Sequence, residues 1–267
     1  MTATPPRLHQ STAKILLEKS PAHAIMARQK REDQDEETTA ALLKGTLVDA
    51  LVFGIGLDVI VPIAFDNYRT KGAQIQRDEA IVEGKTPVLT AEYDRLQKVA
   101  DVIRKDLAVR GFPLQAHESQ VSFDWEAPNG CPCSGKLDHL FRDRALILDL
   151  KTTRSAAEPD IQKSFTKYGY DIQQAAYIQA VETMFPTLQG KVKFVFYFTE
   201  TEEPYGSRLV ECSGQMKYLG NLKWMKACRI WKQCLDTGVW PGYSPDVFLI
   251  EPKPWEMELK ETGGENG

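Results

Sequence analysis

Two short segments decide the fold of this chain: Gly135-Lys136-Leu137-Asp138, and after a polar turn Leu148-Asp149-Leu150-Lys151-Thr152-Thr153. Both are typical of β-strands, in which alternate side chains point to opposite faces of the sheet. Asp149 and Lys151 therefore share one face, while the leucines beside them share the other. The second strand is thus predicted to place a carboxylate and an ammonium side by side.

The two segments are predicted to pair as a β-hairpin. Their link, Arg142-Asp143-Arg144-Ala145, is short and polar enough for a two-residue turn at Asp143 and Arg144. With that turn, Asp138 lies directly opposite Asp149. The hairpin therefore brings two carboxylates and one ammonium to a single point.

Two facing carboxylates favour a cation between them. Their repulsion costs up to about 1 kcal/mol when they are exposed, and more when they are buried. Lys151 is one candidate, and a divalent ion such as Mg²⁺ is a stronger one because hard cations prefer carboxylate oxygens. In the alternative interpretation, both aspartates are ordinary hairpin residues neutralised by Lys136, Arg142 or Arg144.

The order of these residues also matches a known pattern. Asp138 followed by Asp149-Leu150-Lys151 is the motif of the PD-(D/E)xK nuclease superfamily, although this motif alone is degenerate. Longer phrases are more specific: Ser20-Pro21-Ala22-His23-Ala24, Gly45-Thr46-Leu47-Val48, Cys131-Pro132-Cys133-Ser134-Gly135-Lys136-Leu137-Asp138, Asp149-Leu150-Lys151-Thr152-Thr153, Tyr170-Asp171-Ile172-Gln173-Gln174-Ala175-Ala176-Tyr177 and Trp240-Pro241. Through them the chain, from about His9 to Trp255, resembles RecE-type exonucleases (exonuclease VIII-like), relatives of bacteriophage lambda exonuclease and of RecB nuclease domains.

This resemblance implies a fold and a metal site. The fold is α/β, a restriction-endonuclease-like mixed β-sheet core flanked by helices, with an N-terminal helical layer. Asp138, Asp149 and the backbone carbonyl of Leu150 are the implied ligands of Mg²⁺ or Mn²⁺, and Lys151 is implied to position or activate the attacking water. The chemistry is coherent, because a bound dication lowers the pKa of water and a nearby ammonium stabilises developing negative charge.

Gln173 and Tyr177 match the Gln-x-x-x-Tyr motif of RecB-like nucleases, and the resemblance implies a catalytic role for both. Being four residues apart on a helix, they project from one face. The amide can orient the water or Lys151, and the hydroxyl can reach a phosphate or a carboxylate. Without the resemblance, the favoured interpretation is a polar stripe on an amphipathic helix.

Two acidic residues are further candidates. Relatives carry a Gly-x-x-x-His motif whose histidine binds the metal, whereas here Gly45 is followed four residues later by Asp49. A carboxylate can replace imidazole on Mg²⁺, so Asp49 is kept as a metal ligand, against weakened ion binding or an exposed helix aspartate as alternatives. Glu118 opens a strand where relatives often have an acidic residue, and its alternative is an exposed residue at a strand start.

Length and composition predict one structural domain. A chain of 267 residues with 42% hydrophobic residues can bury one substantial core. We expect a helical region at 1–112 packed on a nuclease core at 113–256, and a disordered tail at 257–267. No apolar run approaches the ~18 residues of a membrane span, and the start is not typical of a secretory signal, so a soluble, cytoplasmic protein is expected.

The charge and the cysteines bear on partners and cofactors. A net charge of −4 argues against nucleic-acid binding through bulk electrostatics, but allows basic groups to line a DNA channel. An odd number of cysteines predicts reduced thiols. The four-cysteine iron–sulfur cluster of some RecB-like nucleases is disfavoured because the first 130 residues lack cysteine. Zinc at Cys131-x-Cys133 is disfavoured because nothing in the sequence pattern completes four ligands.

Periodicity and capping signals predict the remaining elements. Residues 54–87 are expected to be irregular. The predicted helices are Ser11 to Arg31 with Ser11 as N-cap, Glu36 to Phe53, Thr90 to Arg110 with Leu96, Val99, Ile103 and Leu107 inward, Asp171 to Phe185, and Ser213 to Cys234. The predicted strands are 118–126, 134–141, 145–151, 191–200 and 208–212.

The resemblance implies a Mg²⁺-dependent DNA exonuclease that digests one strand 5′-to-3′ from linear double-stranded ends, leaving single strand for recombination. It also implies a phage-type setting, with a ring-shaped homo-oligomer around the DNA and a single-strand annealing protein as partner. Two alternatives stay open. One is an endonuclease or single-strand nuclease of the same fold, and the other is a catalytically silent DNA-binding or scaffold protein, which the Asp49 departure leaves open.

Overall fold

The computed structural model describes residues 5–32, 40–115 and 118–253. The strands are β1 (Ile60–Ile63), β2 (Thr86–Leu89), β3 (Ser119–Glu126), β4 (Pro132–Phe141), β5 (Leu146–Thr153), β6 (Lys193–Glu200) and β7 (Ser207–Val210). The helices are α1 (Gln10–Glu18), α2 (Pro21–Glu32), α3 (Ala40–Phe53), α4 (Lys71–Val82), α5 (Thr90–Val109), α6 (Glu158–Tyr168), α7 (Tyr170–Met184) and α8 (Gly214–Thr237).

A five-stranded mixed sheet in the order β3-β4-β5-β6-β7 forms the centre of the fold. Its first three strands are an antiparallel meander, β5 and β6 are parallel, and β7 returns antiparallel to β6. A parallel pair needs a long crossover, and here α6 and α7 provide it. The predicted α/β architecture, a mixed sheet flanked by helices, is confirmed.

The alternation along β5 divides its side chains between two apolar layers. Leu146, Leu148 and Leu150 pack in the layer that contains buried residues of α3 and α5. Ile147 packs in the opposite layer, with buried residues of α7 and α8. The predicted faces of this strand are therefore correct, and Asp149 and Lys151 come to lie on the α7 side.

The hairpin register is also as predicted, but the turn is longer. Phe141 pairs with Leu146 and His139 with Leu148, which is the register that places Asp138 opposite Asp149. The connection is a 3₁₀ turn at Arg142–Arg144 closed by Ala145 at φ 47°. The prediction of a two-residue turn was therefore wrong. The link consists of residues 142–145, and the longer turn leaves the pairing of the strands unchanged.

The first predicted helix is two helices. α1 ends at Glu18 and α2 begins at Pro21, since the residue before a proline is disfavoured in helical conformation. Ser20 lies at the break, where its Oγ accepts the backbone N–H of His23 at 3.4 Å. Ser11 is not the N-cap, because α1 begins at Gln10 with His9 in that position. Predicted residues 36–39 lie outside the described part of the chain.

Two further regions differ from the prediction. Residues 54–87 are not irregular: β1, α4 and β2 form a parallel βαβ unit whose two strands have only four residues each. Helix α6 was missed because only Ile161 and Phe165 form its buried stripe. Helix α5 was predicted correctly, and its four inward residues are all buried.

The N-terminal helices cover both faces of the sheet. α1 packs on α7 and α8, whereas α3 packs on α5 and β5. Near the end of the described chain, Trp240 contacts Trp231 with ring centroids 4.7 Å apart. The domain division at residue 112 stays a prediction, and the tail 257–267 lies outside the described residues. Within the described segments, no helix combines the length and apolarity that a membrane crossing requires.

Candidate metal and catalytic site

Asp138 lies where the ladder between β4 and β5 stops. Its Oδ2 accepts the backbone N–H of Leu150 at 2.8 Å, and its Oδ1 accepts from the Gln120 amide at 3.4 Å. The carboxylate thus accepts a hydrogen bond from the backbone of the neighbouring strand. This contact holds Asp138 against the Asp149-Leu150-Lys151 segment; the metal-binding role of the Leu150 carbonyl stays a prediction.

Asp149 is almost fully buried, with 1% of its surface exposed. Its Oδ1 forms an ion pair with the Lys151 ammonium, and its Oδ2 accepts a hydrogen bond from Gln173 Nε2 at 2.7 Å. Each carboxylate oxygen has two lone pairs, so these contacts leave it acceptor capacity. The structure therefore brings together Asp149, Lys151 and Gln173.

Lys151 remains charged although it is buried. Burial alone would lower the pKa of this ammonium, but Asp149 and Asp138 raise it above its ordinary value. The Tyr170 ring lies 5.0 Å from Nζ. Lys151 is thus a fixed positive charge between acidic groups and an aromatic face.

Asp49 reaches the same site from α3. Burial, and then the charge of Asp138, raises its pKa to about 8. Burial also raises the pKa of Asp149 to about 7, with Asp138 adding to the shift and Lys151 opposing it. Burial likewise raises the pKa of Asp138. Three acidic groups therefore repel one another in a poorly solvated site, and the Lys151 ammonium, whose side chain is 17% exposed, offsets part of their charge.

This aspartate cluster, defined as Asp49, Asp138 and Asp149, fits a hard divalent ion by donor type and by charge. Carboxylate oxygens are the ligands that Mg²⁺ and Mn²⁺ prefer, and a dication offsets the excess negative charge. The oxygens are less tightly grouped than a closed metal site requires. In the described part of the chain, three ligand atoms all within 4.8 Å of one another occur at a group of cysteines.

Tyr177 is close enough to the cluster to respond to its charge. Burial, and then Asp149 and Asp138, raises the pKa of its hydroxyl. Its ring packs on Gly135, where an added Cβ would lie 2.8 Å from Cε1, so a side chain there would displace the ring. Tyr177 and Gln173 are both buried, which contradicts an exposed polar stripe on α7.

Glu118 contacts the residue that follows Asp138 in β4. Its carboxylate lies 3.9 Å from Nε2 of buried His139, whose Nδ1 is 2.6 Å from Ser119 Oγ. The contacts described for Glu118 do not include Asp138 or Asp149. Its role as an additional site residue stays a prediction.

The hairpin arginines do not neutralise the aspartates. The Arg142 guanidinium lies over the Phe185 ring at 4.6 Å. The Arg144 guanidinium lies over Phe112 at 5.1 Å and donates to the Gly111 carbonyl at 2.6 Å. Lys136 does act on the cluster, since its charge opposes the raised pKa of Asp138.

Sequence reasoning missed two residues of this site. Tyr170 precedes the Gln-x-x-x-Tyr motif at the start of α7, and its ring faces Lys151. Gln120 adopts φ 53° in β3, which directs its amide to Asp138 although the strand pattern gives no sign of it. Gly45 does lie against β5, but an added Cβ would be 3.5 Å from Thr152 Oγ1, an ordinary contact.

The raised pKa values of Asp49 and Asp149 predict how the free energy of unfolding depends on pH when no metal is bound. The folded chain holds protons on Asp49 and Asp149 that the unfolded chain releases near pH 3.8. The stabilising contribution of these groups is therefore present below pH 3.8 and is lost as the pH rises to about 8. The free energy of unfolding is measured with urea in the presence of a chelator, from pH 5 to pH 8. We expect it to fall more steeply with pH in the natural chain than in Asp149→Asn. Equal slopes would contradict this assignment.

The chain is similar to one known family and to solved structures. Residues 10–250 match the model of a family described as "PDDEXK-like domain of unknown function (DUF3799)". No curated protein matches in sequence at a significant level. A "putative exonuclease" from Eubacterium rectale has a similar structure, with a TM-score of 0.63 and 18% identity over 95% of this chain and 93% of that one. At that identity the likeness shows the fold alone.

A second structure is more distant. It is a "phage related exonuclease" from Haemophilus somnus 129PT, with a TM-score of 0.39 and 11% identity over 88% of this chain and 98% of that one. A score this low carries no conclusion about the present chain.

Proposed function

This chain belongs to the PDDEXK-like family DUF3799, and from this membership and the aspartate cluster we propose that it is a metal-dependent deoxyribonuclease. In finer detail, we propose a Mg²⁺- or Mn²⁺-dependent exonuclease that acts 5′-to-3′ on linear double-stranded DNA ends. The observation that carries the proposal is the ion pair of Lys151 with buried Asp149, beside Asp138, which accepts the backbone N–H of Leu150. Asp49 adds a third acidic group, whose pKa is raised by burial and by the charge of Asp138.

The proposed roles follow from the contacts. Asp138, Asp149, Asp49 and the carbonyl of Leu150 would hold the ion. When bound, the ion supplies charge neutralisation and a more acidic water. Gln173 orients Asp149 through its 2.7 Å hydrogen bond.

Lys151 is proposed to act by its charge. Its pKa is raised, so it stays protonated at neutral pH and does not serve as a general base. A fixed ammonium at this place can orient the attacking water and stabilise negative charge that develops on the phosphate. Tyr177, whose ring packs on Gly135, is proposed to bind the phosphate or to position a carboxylate.

The exonuclease activity, the polarity and the partners are part of this proposal. The name of the Eubacterium rectale structure describes that protein, and it makes an end-directed nuclease the first activity to test here. A ring-shaped homo-oligomer and an annealing protein that takes over the single strand would suit such an enzyme, because a closed ring provides processivity without base contacts.

Digestion of end-labelled duplex DNA tests the proposal. Linear DNA with a 5′-phosphate or a 5′-hydroxyl, and circular duplex of the same sequence, are incubated with Mg²⁺ or with chelator. We expect release of nucleotides from the linear 5′-phosphate strand in Mg²⁺ alone, while the circle stays intact. Cleavage of the circle would assign an endonuclease instead. DNA binding without cleavage in Mg²⁺ would favour the silent scaffold.

A further inference from the structure

Three cysteines meet in the interior, far from the aspartates in the sheet. Cys131 lies directly before β4, Cys133 is the second residue of β4, and Cys228 comes from α8. Their sulfur atoms all lie within 4.8 Å of one another, and the three residues are 0%, 0% and 1% exposed. The sequence pattern showed only the Cys-x-Cys pair, and the packing of α8 on β4 supplies the third thiol.

The spacing of these sulfurs suits one small cation. A metal–sulfur bond of about 2.3 Å places the sulfurs of a tetrahedral or trigonal site about 4 Å apart, within the range observed here. The three thiols come together from two separate parts of the fold, with their sulfur atoms close enough to share one ion. The other two cysteines, Cys212 and Cys234, are also buried but do not join the group.

We propose that Cys131, Cys133 and Cys228 form a structural site for one thiophilic cation, Zn²⁺ or Cu⁺, that ties α8 to β4. Thiolates select such soft ions, whereas the aspartates select hard ones, so the two sites bind different metals. Three sulfurs are enough for Cu⁺, and tetrahedral Zn²⁺ takes a fourth ligand. A nearby backbone carbonyl is the candidate, since Cys131 O lies 3.3 Å from Cys133 Sγ.

Lys232 supports negative charge at this site. It lies four residues after Cys228 on α8, and its side chain packs on Gly130, where an added Cβ would be 3.5 Å from Cε. Three thiolates around Zn²⁺ leave one net negative charge, which the ammonium can offset. Its own carboxylate partner, Asp236, lies a further turn along α8.

Complete burial determines when the ion binds. No thiol is exposed enough to capture a metal from solution, so the ion would enter while the chain folds and would stabilise the folded state. The test therefore uses full-length protein that has folded in the presence of metal. The site is independent of the proposed nuclease activity, and either can fail without the other.

The experiment measures metal per chain. The full-length protein is produced with added Zn²⁺ or, in a second arm without oxygen, with Cu⁺, then desalted and analysed for both metals. We expect about one equivalent of one of these ions in the natural chain and in Cys234→Ser, a buried cysteine of the same helix. We expect a loss of at least about tenfold in Cys228→Ser.

X-ray absorption of the retained ion separates this site from the aspartates and needs no variant. Three sulfur ligands in the natural chain would support the proposal even if Cys228→Ser does not fold. An ion surrounded only by oxygen and nitrogen, or no retained Zn²⁺ or Cu⁺ in either arm, would overturn it. An iron–sulfur cluster in place of a single ion would also overturn it.

Discussion

Replacement of Asp149 by asparagine, or of Lys151 by methionine, is expected to lower the rate of DNA cleavage by at least about a hundredfold. Asparagine preserves the shape and one acceptor oxygen at a site that is 1% exposed, but it removes the charge that would hold a dication. Methionine preserves the apolar stem of Lys151 and removes the ammonium. Cleavage of labelled linear duplex in Mg²⁺ measures both losses.

Both variants should remain folded. The raised pKa of Asp149 shows that its charge is disfavoured in the folded chain, so asparagine should leave the free energy of unfolding unchanged or higher when metal is absent. Lys163→Met is the matched control, because this side chain is 79% exposed and contacts only Asp160 on its own helix among described residues. Full cleavage by Asp149→Asn or Lys151→Met, or equal loss in Lys163→Met, would contradict the assigned roles.

Gly220→Ala is expected to be the most destabilising single substitution considered for this chain. Gly220 lies where α8 crosses α7, and an added Cβ would be 2.2 Å from the backbone oxygen of Asp171. Alanine gains about 1 kcal/mol in helix propensity over glycine. Overpacking against backbone costs about 1–3 kcal/mol or more, because no side chain can rotate away. The clash should win, with a net loss of about 2 kcal/mol.

The same substitution should impair cleavage through α7. Asp171 is in the first turn of α7, two residues before Gln173, which donates to Asp149. Moving the start of α7 away from Gly220 therefore disturbs the hydrogen bond at the candidate site. Urea unfolding and DNA cleavage measure the two effects. Gly214→Ala, on the same helix with nothing within 4 Å of an added Cβ, should be near neutral. Equal stability of the two variants would contradict the predicted clash.

The local pattern of polar and apolar residues was enough to predict the central hairpin. Alternation along β5 assigned its leucines to one layer and Asp149 with Lys151 to the other, and the pairing of His139 with Leu148 follows the predicted register. Helix α5 was equally predictable from its apolar stripe. These features depend on neighbouring residues in one strand or helix, whose side-chain directions repeat with a fixed period.

Elements too short to show this period were predicted wrongly. The strands β1 and β2 are only four residues long, so they show too little alternation to separate them from loop. The turn at residues 142–145 was also ambiguous, since two-residue and longer turns can produce the same pairing.

The sequence by itself determined the strands of the central sheet, the two faces of β5 and the candidate residues Asp138, Asp149 and Lys151. Only the tertiary structure decided that the charge of Asp138 acts on Asp49 of α3, that Glu118 lies beside His139, and that Cys228 meets Cys131 and Cys133. Periodicity records which way a side chain points from its own element. Which elements meet depends on how helices pack across the sheet, and that is set by contacts between residues far apart in the chain.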